Sequence, residues 1–183
     1  SLKETLEEVL KEVKRRIEDL SRRLEEVLRR AREELKRLSD DSRRVVEEAE
    51  ERVRRLMEEN RDEDVIRKLR EALKEVRRLL EEVERRNRAL MKEVEDLVRK
   101  VNKDNRRVLE EIKRIVEKLS RLDKKEEIKR VIDELRRLIE EVEKRNREVV
   151  EEIKRLIKEV ADDNRRALER IRRLIRKLEE EVK

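Results

Sequence analysis

The apolar residues of this chain recur with a period of 18, and few folds can satisfy such a period. In the first third they fall at Leu6, Val9, Val13, Ile17, Leu20, Leu24, Val27, Ala31, Leu35 and Leu38, in steps of three and four. Eighteen residues make five turns at 3.6 residues per turn, the period of an undistorted α-helix. A seven-residue repeat would impose a left-handed supercoil. This repeat makes no such demand, so it predicts straight helices. Three units run in sequence as 3–20, 21–38 and 39–56, three as 69–86, 87–104 and 105–122, and three as 128–145, 146–163 and 164–181. Each unit carries an apolar face wider than a bare coiled-coil seam, as a core-facing helix of a bundle requires.

Composition decides between long helices and disorder. Of the 183 residues, 59% are charged, which alone would favour an unfolded chain. The strict periodicity of the apolar residues argues for helices instead. Gly and Pro, on which tight turns and left-handed caps draw, are absent, as are Cys, His, Trp, Tyr and Phe. The remainder is rich in strong helix formers. Glu stands four residues before Lys or Arg at Glu25–Arg29, Glu26–Arg30, Glu81–Arg85, Glu82–Arg86, Glu140–Lys144 and Glu141–Arg145. Such pairs stabilise a helix by about 0.2–0.5 kcal/mol each.

Two segments interrupt the pattern. The first is Asn60-Arg61-Asp62-Glu63-Asp64, where Asn60 can take a left-handed C-terminal position and Asp62 can cap the following helix. The second is Ser120-Arg121-Leu122-Asp123, with Asp123 and Glu126 spaced as a capping box, a spacing that Ser1 and Glu4 repeat at the start. The prediction is all-α: one domain over residues 1–183, an antiparallel up-down-up three-helix bundle. Its helices run over about 2–59, 63–120 and 124–182, roughly 85 Å each at 1.5 Å per residue.

Polar clusters at 39–42, 102–105 and 161–164 supply an alternative, a six-helix arrangement broken at those places. The apolar phase argues against it. The steps continue through Leu35, Leu38, Ser42 and Val45, through Val98, Val101, Asn105 and Val108, and through Ile157, Val160, Asn164 and Ala167.

Each helix also carries two small polar residues on its apolar face, 18 apart: Ser21 and Ser39, Asn87 and Asn105, Asn146 and Asn164. Residues that meet across an antiparallel hairpin have a constant sum of residue numbers. Ser21 with Asn105 and Ser39 with Asn87 both give 126; Asn105 with Asn146 and Asn87 with Asn164 both give 251. The implied hairpin centres fall on or beside the two interruptions. Two structural polar layers are therefore expected, one of Ser21, Asn105 and Asn146, the other of Ser39, Asn87 and Asn164. Ser42 and Asn102 lie one turn away as possible extensions. A slipped register would bury an amide against Leu or Val, so such layers specify one alignment.

No catalytic constellation accompanies them. Without His there is no imidazole base or ligand, and no base stands beside the few Ser or the single Thr5 in sequence. Neutral amide layers lack the ligands that metals want. No enzyme activity, cofactor or metal is expected. Lys and Arg (57) nearly balance Asp and Glu (51), for a net charge of +6 with the signs interleaved. That pattern favours neither nucleic acid nor membrane as a partner. The longest apolar run is Ala89-Leu90-Met91, so neither a membrane span nor a signal peptide is expected. Three amphipathic helices can close one core, which makes a monomer the expected state, with self-association the alternative.

Repeated 18-residue units, apolar layers and Asn/Ser layers make the chain resemble de novo designed parametric helical bundles with buried hydrogen-bond networks. The resemblance covers the whole sequence and rests on architecture. It implies a hyperstable scaffold without natural activity. A designed oligomerisation or helix-binding module is the other role the resemblance allows.

Overall fold

The computed structural model describes residues 1–122 and 124–182, and its fold is a three-helix bundle. Helix α1 spans Leu2–Glu59, α2 spans Glu63–Leu119 and α3 spans Lys125–Val182, with every pair of helices in contact. The short connections reverse the chain twice, giving the up-down-up order.

The caps account for where the helices start. Ser1 accepts the Glu4 N–H on its hydroxyl (3.3 Å) and the Thr5 N–H on its carbonyl. Asp62 does the same for α2, its carboxylate taking the Asp64 N–H at 3.0 Å and its carbonyl the Ile66 N–H. Each cap satisfies donors that the first turn cannot bond internally. In α3 the Lys124 carbonyl accepts from the Ile128 N–H, and the helix is described from Lys125, one residue later than expected. The capping role expected of Asp123 lies outside the described residues.

The helices end by means other than the left-handed residue expected. No described residue has a positive φ. The Asn60 side chain instead donates to the Leu56 carbonyl at 2.8 Å, which covers a C-terminal acceptor without left-handed backbone. Helix α2 stops at Leu119, one residue short of expectation. Beyond it Arg121 bonds Lys118 and Leu122 bonds Leu119 in tightened i to i+3 fashion, and the Ser120 hydroxyl donates to the Glu117 carbonyl.

The six-helix alternative is incorrect. Helical hydrogen bonding continues through 39–42, 102–105 and 161–164. The polar residues there bond in ways a helix accommodates. Ser42 returns its hydroxyl to the Leu38 carbonyl at 2.9 Å and Asn164 its amide to the Val160 carbonyl at 2.7 Å, each four residues back. Asp41 pairs with Arg37 and Arg44, Asp162 with Arg165, and Asp163 with Arg166, all within one turn on the same helix. Bonds to the carbonyl four residues back and to cations within one turn are both made without leaving helical backbone.

The chain divides into two compact units, each built from all three helices. The first comprises 1–30 and 94–154, the second 31–93 and 155–183. The first unit's core packs Leu6, Val9, Val13 and Ile17 of α1 against Ile112, Val116 and Leu119 of α2 and Ile128, Ile132, Leu135 and Ile139 of α3. The second packs Val46, Ala49 and Val53 against Leu69, Ala72, Val76 and Leu79 and against Ile171, Ile175 and Leu178. The second core includes two alanines, Ala49 and Ala72, where the first is rich in isoleucine.

Helix continuity has a direct test. Asp40→Pro places proline inside α1 at an exposed site, removing a backbone donor and clashing with the preceding turn. It should cost about 3 kcal/mol in chemical denaturation followed by circular dichroism. An unchanged midpoint would mean that the helix is interrupted there.

Candidate functional site: two polar layers in the bundle core

The buried polar side chains are Ser42, Asn87, Asn105, Asn146 and Asn164, each no more than 3% exposed. The four asparagines belong to the two layers expected from residue-number sums. Each layer lies wholly within one unit, so the two are described in turn.

In the second unit, Asn87 Nδ2 donates to both Ser39 Oγ (2.9 Å) and Asn164 Oδ1 (3.1 Å). Asn164 Nδ2 donates back to Asn87 Oδ1 (2.9 Å) and to the Val160 carbonyl (2.7 Å). An amide group has two N–H donors. All four donors of the two asparagines are used, and both amide oxygens accept. The Val160 carbonyl also fixes which end of the Asn164 amide is nitrogen, because a carbonyl can only accept.

In the first unit the asparagine pairing is repeated. Asn105 Nδ2 donates to Asn146 Oδ1 (3.0 Å), and Asn146 Nδ2 donates to Asn105 Oδ1 (2.9 Å) and to the Val142 carbonyl (2.8 Å). The serine is not repeated. Ser21 is half-buried, and among the described residues its hydroxyl has no hydrogen-bond partner. Asn105 therefore uses one N–H where its counterpart Asn87 uses two.

The two possible extensions do not enlarge either layer. Ser42 spends its proton on its own helix. Asn102 is half-buried, and its Oδ1 is fully enclosed without a hydrogen-bond partner among the described residues. Helical phase placed both on the inner side. It could not say whether their rotamers reach across.

Ion pairs between helices were not anticipated from sequence, although a numerical signal exists. Arg16 pairs with Glu143 in the first unit and Arg52 with Glu179, at 2.6 Å, in the second. Both pairs have a residue-number difference of 127, as parallel helices α1 and α3 require. Between α1 and α2 of the second unit, Arg43–Glu84 (2.6 Å) and Glu50–Arg77 (3.4 Å) both sum to 127, beside the 126 of the polar layer. The hydrogen bond that Arg43 donates to Glu84 raises the Arg43 pKa above its ordinary value. Within single helices, the bond from Arg78 lowers the Glu75 pKa, and the bond from Arg29 lowers that of Glu26. Arg29 thus bonds Glu26, and Arg30 and Arg86 reach the expected Glu26 and Glu82. Pairs this exposed to water are screened and add little to stability.

Among the described residues, no group of three His, Cys, Asp or Glu is placed to hold a metal ion. No helix of the described residues is long and apolar enough to cross a membrane. No family model, curated protein or solved structure matches the chain.

The two serines should separate cleanly. Ser39→Ala leaves an Asn87 N–H unpaired and should cost about 1 kcal/mol, whereas Ser21→Ala removes no bond and should stay within about 0.5 kcal/mol. Equal effects in guanidinium denaturation would show that the two layers are chemically alike. Asn102→Leu removes an unpartnered buried oxygen and should stabilise by about 1 kcal/mol; a lower denaturation midpoint would show that Asn102 has a partner in solution.

Proposed function

We propose that this chain is a de novo designed scaffold whose role is structural: it holds three helices in one register and carries out no chemistry of its own. The observation behind this reading is that the buried amides bond one another reciprocally. Asn105 pairs with Asn146 and Asn87 with Asn164, both at the residue-number sum of 251. An active site keeps polar groups available for a substrate. Here the polar groups on the apolar face are largely spent on fixing helix alignment.

The sequence supports the same reading. Eighteen-residue units repeated on all three helices, a core of aliphatic residues, and a surface of interleaved charge follow the rules by which an idealised bundle is specified. Buried networks of this kind contribute less to stability than to uniqueness, because each wrong register strands an amide.

Two measurements on the intact chain test the proposal. Light scattering should return one chain mass, 22.7 kDa, across the accessible concentration range. Guanidinium denaturation should give a midpoint above about 5 M, the hyperstable range. A mass of two or more chains would favour an oligomerisation module instead, and a midpoint in the ordinary range would remove the support for an idealised scaffold.

A further inference from the structure

In the first unit, α1 and α3 leave a groove of about 550 Å³ between them, within the range that holds small molecules. Its floor is apolar, formed by Leu20, Leu24, Val27 and Val150. Arg23 on α1 and Arg147 on α3 line it as well. Their residue-number difference, 124, is one less than that of Ser21 and Asn146, so the two guanidinium-bearing positions stand at nearly one level on parallel helices.

The charges around the groove are unequal in their commitments. Arg22 bonds Asp19, Arg30 bonds Glu26, and Glu151 pairs with Lys154. Arg23 and Arg147 have no ion-pair partner among the described residues. Two uncommitted cations thus border an apolar floor, and the two carboxylates that line the groove, Glu26 and Glu151, are already paired with other cations. The second unit differs at the positions 18 residues on. There Asp40 and Asp41 replace Arg22 and Arg23, while Arg165 retains the charge of Arg147. The seam between α1 and α3 is therefore charge-matched by sequence in the second unit and doubly positive in the first. The polar layers differ in the same sense, Ser39 being bonded to Asn87 while Ser21 is unbonded.

We propose that this groove binds a small anionic amphiphile, with its apolar body on Leu20, Leu24, Val27 and Val150 and its acid group between Arg23 and Arg147. A carboxylate or sulfonate on a ring or chain scaffold has the required chemistry: the guanidiniums donate to its oxygens, and the floor removes its hydrocarbon from water. This site goes beyond the scaffold role and does not rest on it, since a purely structural bundle could possess it too.

The test uses the full chain and two fluorescent probes at low salt, where exposed charge is least screened. One is 1-anilinonaphthalene-8-sulfonate; the other is its uncharged analogue N-phenyl-1-naphthylamine. The sulfonate should bind at one site per chain with blue-shifted emission. The double variant Arg23→Gln/Arg147→Gln should weaken it about 10-fold while leaving the neutral probe unchanged. Arg165→Gln, at the equivalent position of the second unit, should leave both probes unaffected. Helical circular dichroism confirms that each variant is folded. Absence of saturable one-site binding, an unchanged sulfonate affinity in the double variant, or an equal loss of both probes would overturn the proposal.

Discussion

A carboxamide enclosed by leucine, isoleucine and valine must find hydrogen-bond partners, and in each unit one alignment of α2 with α3 supplies them. Asn105 meets Asn146 in the first unit and Asn87 meets Asn164 in the second, each pair exchanging two bonds. Hydrophobic burial does not make this choice, because a Leu or Val side chain packs nearly as well one turn along a helix. An unpaired buried amide costs about 1–3 kcal/mol, and a slip would unpair both members at once. Alignment is thus set by the few polar groups, while most of the stabilising energy comes from the many apolar ones. The interhelical ion pairs join α1 to α3 and α1 to α2, so they accompany the placement of α1 beside the pair that the asparagines align.

The α3 asparagines show how a polar residue can sit mid-helix without breaking it. Asn146 and Asn164 each turn one N–H back to the carbonyl four residues earlier and send the other across the core. The backward bond orients the amide before the partner is met, so less freedom is lost in forming the cross-core pair. The α2 asparagines have no such anchor. Asn87 is held by Ser39 and Asn164 together, and Asn105 by Asn146.

Much of this was legible in the sequence because it depends on period and position. Helical phase placed the polar residues on the inner face, the interruptions located the connections, and constant sums paired Asn105 with Asn146, Asn87 with Asn164 and Ser39 with Asn87. The continuity of the helices was legible too, since the apolar steps never slip across Asp40, Asp104 or Asp162. What escaped depends on torsions that periodicity does not encode. Asn60 caps α1 with its side chain rather than with left-handed backbone. Ser42 turns inward to its own helix, and Ser21 occupies the position equivalent to Ser39 without making its bond. A hydroxyl on a single rotatable bond can serve its own carbonyl, a neighbour or water at similar free energy, so its choice follows from packing around it.

Ser21 shows where the argument from repeats reaches its limit. A translation of 18 residues preserves the face on which a side chain lies, so it correctly carries Ser21 onto Ser39 and Arg147 onto Arg165. It does not preserve chemistry, for it also carries Arg22-Arg23 onto Asp40-Asp41. In the second unit these charges are met on their own helices, Asp41 by Arg37 and Arg44 and Arg165 by Asp162, whereas Arg23 and Arg147 in the first have no ion-pair partner among the described residues. The unit with unlike charges has its serine bonded into the layer; the unit with like charges has an unbonded serine and an apolar groove beside it. An 18-residue repeat thus carries over position and helical face, while the hydrogen bond each serine makes follows from its own rotamer.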